Sequence, residues 1–183
     1  MNIAIIGASA GVGLKCVEVA LGRGHRVITL SRSTESLPKH PNLLPIQGSA
    51  TRVSDVKNVI QQADAVIVAL GTGKSTKPTT LYTDAAAVLI RAQRDLDTNI
   101  PFIILTGFGA GNSGEYHGFL MKLLFRLVLK AVYENKTQME EMIAASSIRW
   151  EIVRPGVLNN KPLSGRYRVE TDYRKGMNIG AIP

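Results

Sequence analysis

Three glycines, Gly7, Gly11 and Gly13, stand in G-x-x-x-G-x-G spacing between an apolar run (Asn2-Ile-Ala-Ile-Ile6) and a helix-like stretch from Leu14 to Leu21. The chemistry this arrangement suits is the grip on a pyrophosphate. Gly7 lets the chain turn sharply out of a strand. Gly11 lets the backbone approach phosphates with no Cβ in the way. Gly13 lets the following helix pack closely on the sheet. Freed N–H groups and the helix dipole then favour an anion.

Leu30-Ser31-Arg32-Ser33 closes the second apolar strand pattern. A site for NAD(H) usually carries an acid there, to bind the ribose 2′-OH. This chain has none. The guanidinium of Arg32 suits a 2′-phosphate instead, with Ser31 and Ser33 as further donors, so NADP(H) is favoured over NAD(H). The alternative is a solvated arginine on a loop. Lys74 and Lys77 lie in a polar loop, Thr72–Thr80, and either touch phosphates or form a mobile basic segment. Thr106 ends a strand pattern; it orients a carboxamide or substrate, or merely satisfies backbone groups. Lys136 and Glu140 share a helix face at i,i+4, either as part of a site or as a surface ion pair. His25, His40 and His117 lack metal-ligand spacing, and no metal is assigned. Neither G-x-S-x-G nor a paired-acid hydrolase pattern occurs.

The elements that must position these residues alternate. Strands are expected at Ile3–Ile6, Val27–Leu30, Leu43–Ile46, Ala65–Leu70, Phe102–Leu105 and Trp150–Val153. Helices are expected at Val12–Leu21, Val53–Gln62, Leu81–Leu96 and over a long region from Tyr116 to Ala145. In that region Phe119, Leu120, Leu123, Leu124, Leu127 and Val128 mark an apolar face. Thr137-Gln-Met-Glu140 matches a capping box and marks a helix break or plain helix surface. Alternation of this kind implies a doubly wound, Rossmann-like parallel sheet, three-layer α/β/α, with strand order 3-2-1-4-5-6. Ligands then bind outside the carboxyl ends of the strands. That gathers Gly7–Gly13, Ser31–Arg32, Ser49–Ala50, Leu70–Thr72 and Thr106–Phe108 around one crevice.

The 183 residues are 45% hydrophobic, which suits one domain, 1–183, with a real core. No apolar run reaches membrane-spanning length, so no membrane association is expected. Met1 leads straight into a strand pattern, and a single cysteine, Cys16, excludes an internal disulfide. Both features point to the cytoplasm. The net charge of +8 calls for an anionic partner. The basic residues are scattered and aromatics make up only 5%, so a phosphorylated cofactor is favoured and nucleic acid is not expected.

The chain resembles the atypical short-chain dehydrogenase/reductases, in the branch of NADH-flavin reductase-like proteins and biliverdin-IX-beta reductase. The resemblance rests on Ile-Ile-Gly-Ala-Ser-Ala-Gly-Val-Gly at 5–13, Ala-Val-Ile-Val-Ala-Leu-Gly-Thr-Gly at 65–73 and Lys136-x-x-x-Glu140. It rests also on Trp-Glu-Ile-Val-Arg-Pro-Gly-Val-Leu at 150–158 and Gly165-Arg-Tyr-Arg-Val169. By position it implies that Gly7, Ser9, Gly11, Val12 and Gly13 hold the pyrophosphate and Arg32 the adenosine ribose phosphate. Ser49 and Ala50 would lie beside the adenine, and Leu70 and Gly71 beside the ribose. Thr106, Gly107 and Phe108 would flank the nicotinamide, with Pro155, Gly156 and Val157 on its far side. Three departures stand out. The glycine spacing is that of ordinary short-chain dehydrogenases, Ser49 replaces a frequent aspartate, and Tyr-x-x-x-Lys is missing because Tyr133 and Lys136 are one residue too close. The family also continues past a segment like Asn178–Ile182, so a short C-terminus is expected.

The function these readings favour is hydride transfer from NADPH to a small conjugated acceptor such as a flavin or quinone-like ring. Thr106 and Lys136 are the candidate catalytic residues. The alternative is an NADP(H)-sensing regulatory or accessory protein without catalysis. The oligomeric state is left open.

Overall fold

The computed structural model describes residues 1–73, 75–116, 125–162, 165, 167–174 and 179–182, the side chains of 125 and 126 excepted. Its sheet is built from β1 (Asn2–Ile6), β2 (Arg26–Ser31), β3 (Leu43–Gln47), β4 (Ala65–Val68), β5 (Phe102–Leu105) and β6 (Trp150–Val153). All neighbours are parallel, in the order β3-β2-β1-β4-β5-β6, as the sequence pattern requires. Every strand therefore ends on the same rim.

Period-two alternation divides the core between the two faces. Ala4, Ile6, Ile28, Leu30, Val66, Val68, Phe102 and Ile104 point to one face. There they meet α2 (Val53–Ile60), α3 (Leu81–Asp95) and α4 (Lys130–Ala144), through Val56, Val59, Tyr82, Leu89, Val132, Met139 and Ile143 among others. Ile5 and Val27 point to the other face, onto Val17, Ala20 and Leu21 of α1 (Gly11–Gly22). Among the described residues no helix joins β2 to β3. Leu37 of that connecting loop packs beside α1 instead.

Several expectations need correction. Of the long helical region, residues 117–124 lie outside the described residues. From Phe125 a turn of π-helix, Phe125–Leu129, runs straight into α4, and a 3-10 turn, Gly111–Tyr116, precedes the region. Of the proposed apolar face, Phe119, Leu120, Leu123 and Leu124 fall outside the described residues. Leu127 and Val128 are exposed, at 73% and 47%. Thr137 caps nothing. It lies inside α4, where its hydroxyl donates to the Tyr133 carbonyl one turn back and accepts from the Gly111 amide. Two short strands escaped the sequence pattern, β7 (Val157–Leu158) and β8 (Ala181–Ile182), which pair in parallel. Among the described residues β6 is one of the two edge strands of the sheet, with Trp150 and Val153 exposed on it.

Candidate functional site

The first loop is shaped by contacts that only glycine permits. Gly7 has φ +88°, and a Cβ there would stand 2.5 Å from the Ala69 carbonyl oxygen. Its amide donates to the Leu30 carbonyl, which pins the turn over β2. Gly13 packs so closely under the turn that its Cβ would meet the Gly7 carbonyl. Gly11 is different. It has φ +54° and nothing within 4 Å of where its Cβ would be. α1 begins here with no side-chain cap and no acid in its first turn. The beginning of α1 thus offers backbone amides and the positive end of a dipole to open space, which suits an anion.

The neighbouring loops brace this one. The Ala8 amide donates to Ser31 Oγ at 2.9 Å, and Ser36 Oγ donates to the Ser9 carbonyl at 2.5 Å. Ser31 is 5% exposed, so its hydroxyl supports the glycine loop from beneath. Arg32 and Ser33 are exposed beside it. The Arg32 carbonyl accepts from Gln47 Nε2, which fixes its backbone, while its guanidinium has no ion pair among the described residues. Further along the rim, the Ser49 amide donates to Asp55 Oδ2 and its hydroxyl bonds Thr51. Ala50 and Leu70 pack against the core, and Gly71 is exposed. Lys77 is exposed, and Lys74 lies outside the described residues.

Beyond β5 the chain forms a second glycine-rich loop, from Gly107 to Gly114. The Phe108 amide donates to the Pro155 carbonyl, tying this loop to the turn after β6. Pro155 and Gly156 are half-buried. A Cβ on Gly156 would clash with the Gly180 carbonyl at 2.6 Å, and Val157 is exposed. Thr106 is 5% exposed. Its hydroxyl donates to Glu140 Oε1 at 2.6 Å, and its carbonyl accepts from Lys136 Nζ at 2.8 Å. The threonine therefore holds two α4 side chains in place.

Lys136 is no surface partner of Glu140. Its ammonium lies 4.8 Å from the centre of the Tyr133 ring and 5.3 Å from that of Tyr82. Burial pushes its pKa down, and the charge of Glu140 works against that shift. Burial likewise raises the phenols of Tyr82 and Tyr133. A Cβ on Gly107 would lie 3.0 Å from the Tyr133 hydroxyl and 3.6 Å from Lys136 Nζ. The phenol set aside on spacing thus reaches the same glycine as the lysine. Glu140 is 4% exposed and is matched by Arg154. Arg154 also reaches Asn112 Oδ1 and the Tyr173 hydroxyl.

A cleft of about 1420 Å³ opens beside β6, lined by Phe108, Asn112, Glu140, Arg154, Tyr167 and Tyr173 among others. It meets the strand-end crevice at Phe108, Pro155 and Gly156. Tyr173 stands edge-on to Phe108, with ring centres 5.8 Å apart, and packs on Tyr116. Sequence reasoning missed Arg154, Tyr173 and Tyr82 as parts of this region. The Arg-Pro-Gly after β6 was the one available signal.

The family model described as NAD(P)H-binding matches residues 7–181. The chain belongs to this NAD(P)H-binding family. A sugar epimerase of Bacillus subtilis, YhfK, described as uncharacterized, is 25% identical over 96% of this chain and 81% of its own length. A short-chain dehydrogenase/reductase of Veillonella parvula, solved with NADP, superposes with a TM-score of 0.82. It is 18% identical and covers 99% of this chain and 80% of its own. The anaerobillin reductase ChuY of Escherichia coli O157:H7 gives a TM-score of 0.75 at 22% identity, over 96% of this chain and 83% of its own. The NAD(P)H-binding family expected from the sequence holds, and the fold is shared with a solved short-chain dehydrogenase/reductase.

Proposed function

We propose that this protein is an NADPH-dependent reductase acting on a flat, conjugated acceptor such as a flavin or quinone-like ring. Family membership and a fold shared with a named reductase support reductase chemistry. The observation that carries the preference for NADPH is Arg32, an exposed guanidinium with no acidic partner among the described residues, set at the end of β2 one residue from the brace of the glycine loop. A 2′-phosphate there gains a bidentate, charge-assisted partner.

When bound, the dinucleotide supplies the hydride; the protein supplies binding, orientation and electrostatics. Gly7, Ser9, Gly11, Val12 and Gly13 hold the diphosphate. Ser49, Ala50, Leu70 and Gly71 line the adenosine side. Gly107, Phe108, Pro155, Gly156 and Val157 border the reacting rings. Lys136 places positive charge beside Gly107, where negative charge develops on an acceptor that takes up a hydride. Thr106 fixes Lys136 through its carbonyl. A flavin-like acceptor draws its proton from water, so no dedicated acid is required.

The test is titration of NADPH and NADH into the wild type and Arg32→Ala, with NADPH oxidation followed in the presence of riboflavin or a quinone. Loss of NADPH affinity by about tenfold or more, with NADH unaffected, supports the 2′-phosphate assignment. Equal losses overturn it. A second reading is a non-catalytic NADP(H) sensor. It is favoured by the Thr106 hydroxyl, which is already engaged in a hydrogen bond to Glu140. Tight NADPH binding with no turnover against a panel of acceptors would select it.

A further inference from the structure

We infer that Glu140 is a positioning residue: gripped by Arg154 and Thr106, it sets the place and the charge of Lys136 beside Gly107. The inference rests on the reading that Lys136 faces the reacting rings. Three hydrogen bonds define the grip. Arg154 Nε donates to Oε1 at 3.0 Å, Arg154 Nη2 to Oε2 at 2.7 Å, and the Thr106 hydroxyl to Oε1 at 2.6 Å. Thr106 also carries the grip onward, since its carbonyl accepts from Lys136 Nζ. Arg154 after β6, the Glu140 carboxylate on α4, Thr106 after β5 and the Lys136 ammonium on α4 form one run of contacts.

A buried ion pair is weak grounds for stability, because well-packed apolar residues do as well. This pair is aimed. A Cβ on Gly111 would stand 2.5 Å from Glu140 Oε2 and 2.6 Å from Arg154 Nη2, so the second glycine loop closes directly over it. The groups that face Lys136 are the rings of Tyr82 on α3 and Tyr133 on α4, the Thr106 carbonyl after β5, and Glu140 one turn along α4. Arg154, after β6, holds both carboxylate oxygens of Glu140. Among these groups only Glu140 favours the charged lysine by a full negative charge, against the burial that disfavours it.

The test separates charge from geometry. Glu140→Gln keeps the shape and removes the charge. Its alkaline limb, where activity is lost as Lys136 deprotonates, moves about one pH unit lower. kcat falls about tenfold at neutral pH, while KM for NADPH changes little. Glu140→Asp, which keeps the charge, returns the limb towards its wild-type position. Thr106→Val keeps the charge and cuts the link, so kcat falls with the limb in place. An unmoved limb in folded Glu140→Gln, or wild-type kcat in Thr106→Val, overturns the inference. If Glu140→Gln does not fold, Thr106→Val decides alone. Absence of turnover by the wild type with every acceptor defeats the reductase reading instead. NADPH fluorescence titrations across the same pH range then read the limb directly, and a limb that Glu140→Gln leaves unmoved overturns the positioning role.

Discussion

A Cβ on Gly13 would lie against the carbonyl of Gly7, so the start of α1 and the end of β1 touch backbone to backbone. Gly11, two residues earlier, meets nothing. The two glycines should therefore fail differently. Gly13→Ala forces the helix off the sheet, an overpacking cost of about 1–3 kcal/mol or more, and lowers Tm by about 5 °C or more. Gly11→Ala costs about 1 kcal/mol for its left-handed backbone and leaves the fold intact. It fills the space proposed for the diphosphate, so NADPH affinity should fall at least about tenfold. Melting curves paired with NADPH titration check both.

Arg32→Lys keeps the charge and discards the planar fork. Affinity for NADPH should drop by about tenfold, less than in Arg32→Ala, because a lysine meets a phosphate as a point charge. The residual preference over NADH should fade as salt rises, since the site is exposed. Titrations at low and high ionic strength measure this.

Thr29 is fully buried in β2, and its hydroxyl has no hydrogen-bond partner among the described residues. Thr29→Val is nearly isosteric and removes an unsatisfied polar atom. It should stabilise the protein by about 1 kcal/mol, seen as a rise of about 2–4 °C in Tm. An unchanged or lower Tm would mean the hydroxyl is satisfied after all.

The phenols of Tyr82 and Tyr133 titrate higher in the folded chain than their ordinary value. Above about pH 10 the unfolded chain loses these protons first, so it binds fewer protons than the native state. Stability present below that pH is then lost as pH rises. Lys136, whose pKa is lowered, contributes the opposite slope, below about pH 10.5. Tyr133→Phe should make the decline of Tm between about pH 9.5 and 11 shallower.

Strand order was legible because buried parallel strands are short apolar runs, and a glycine turn after the first of them fixes where the order reverses. Ile3–Ile6, Ala65–Val68 and Phe102–Leu105 carry that signal plainly. The rim residues followed from the strand ends. The grip on Glu140 was not legible. Lys136 and Glu140 look like an i,i+4 surface pair, and only the fold reveals that each is turned inward to a different element. The hydroxyl of Thr106 has no direction in a sequence. Leu127 and Val128 show apolar spacing, yet both stand exposed in the turn of π-helix before α4.

The Ala8 amide sits on the Ser31 hydroxyl, one residue before Arg32. That single fastening ties the diphosphate loop to the arginine's backbone, so the two anchorages proposed for negative charge keep a constant separation. A seat of this kind works as a ruler. It rewards ligands whose two anionic groups are spaced to match and gives little to those carrying one group alone, however strongly charged.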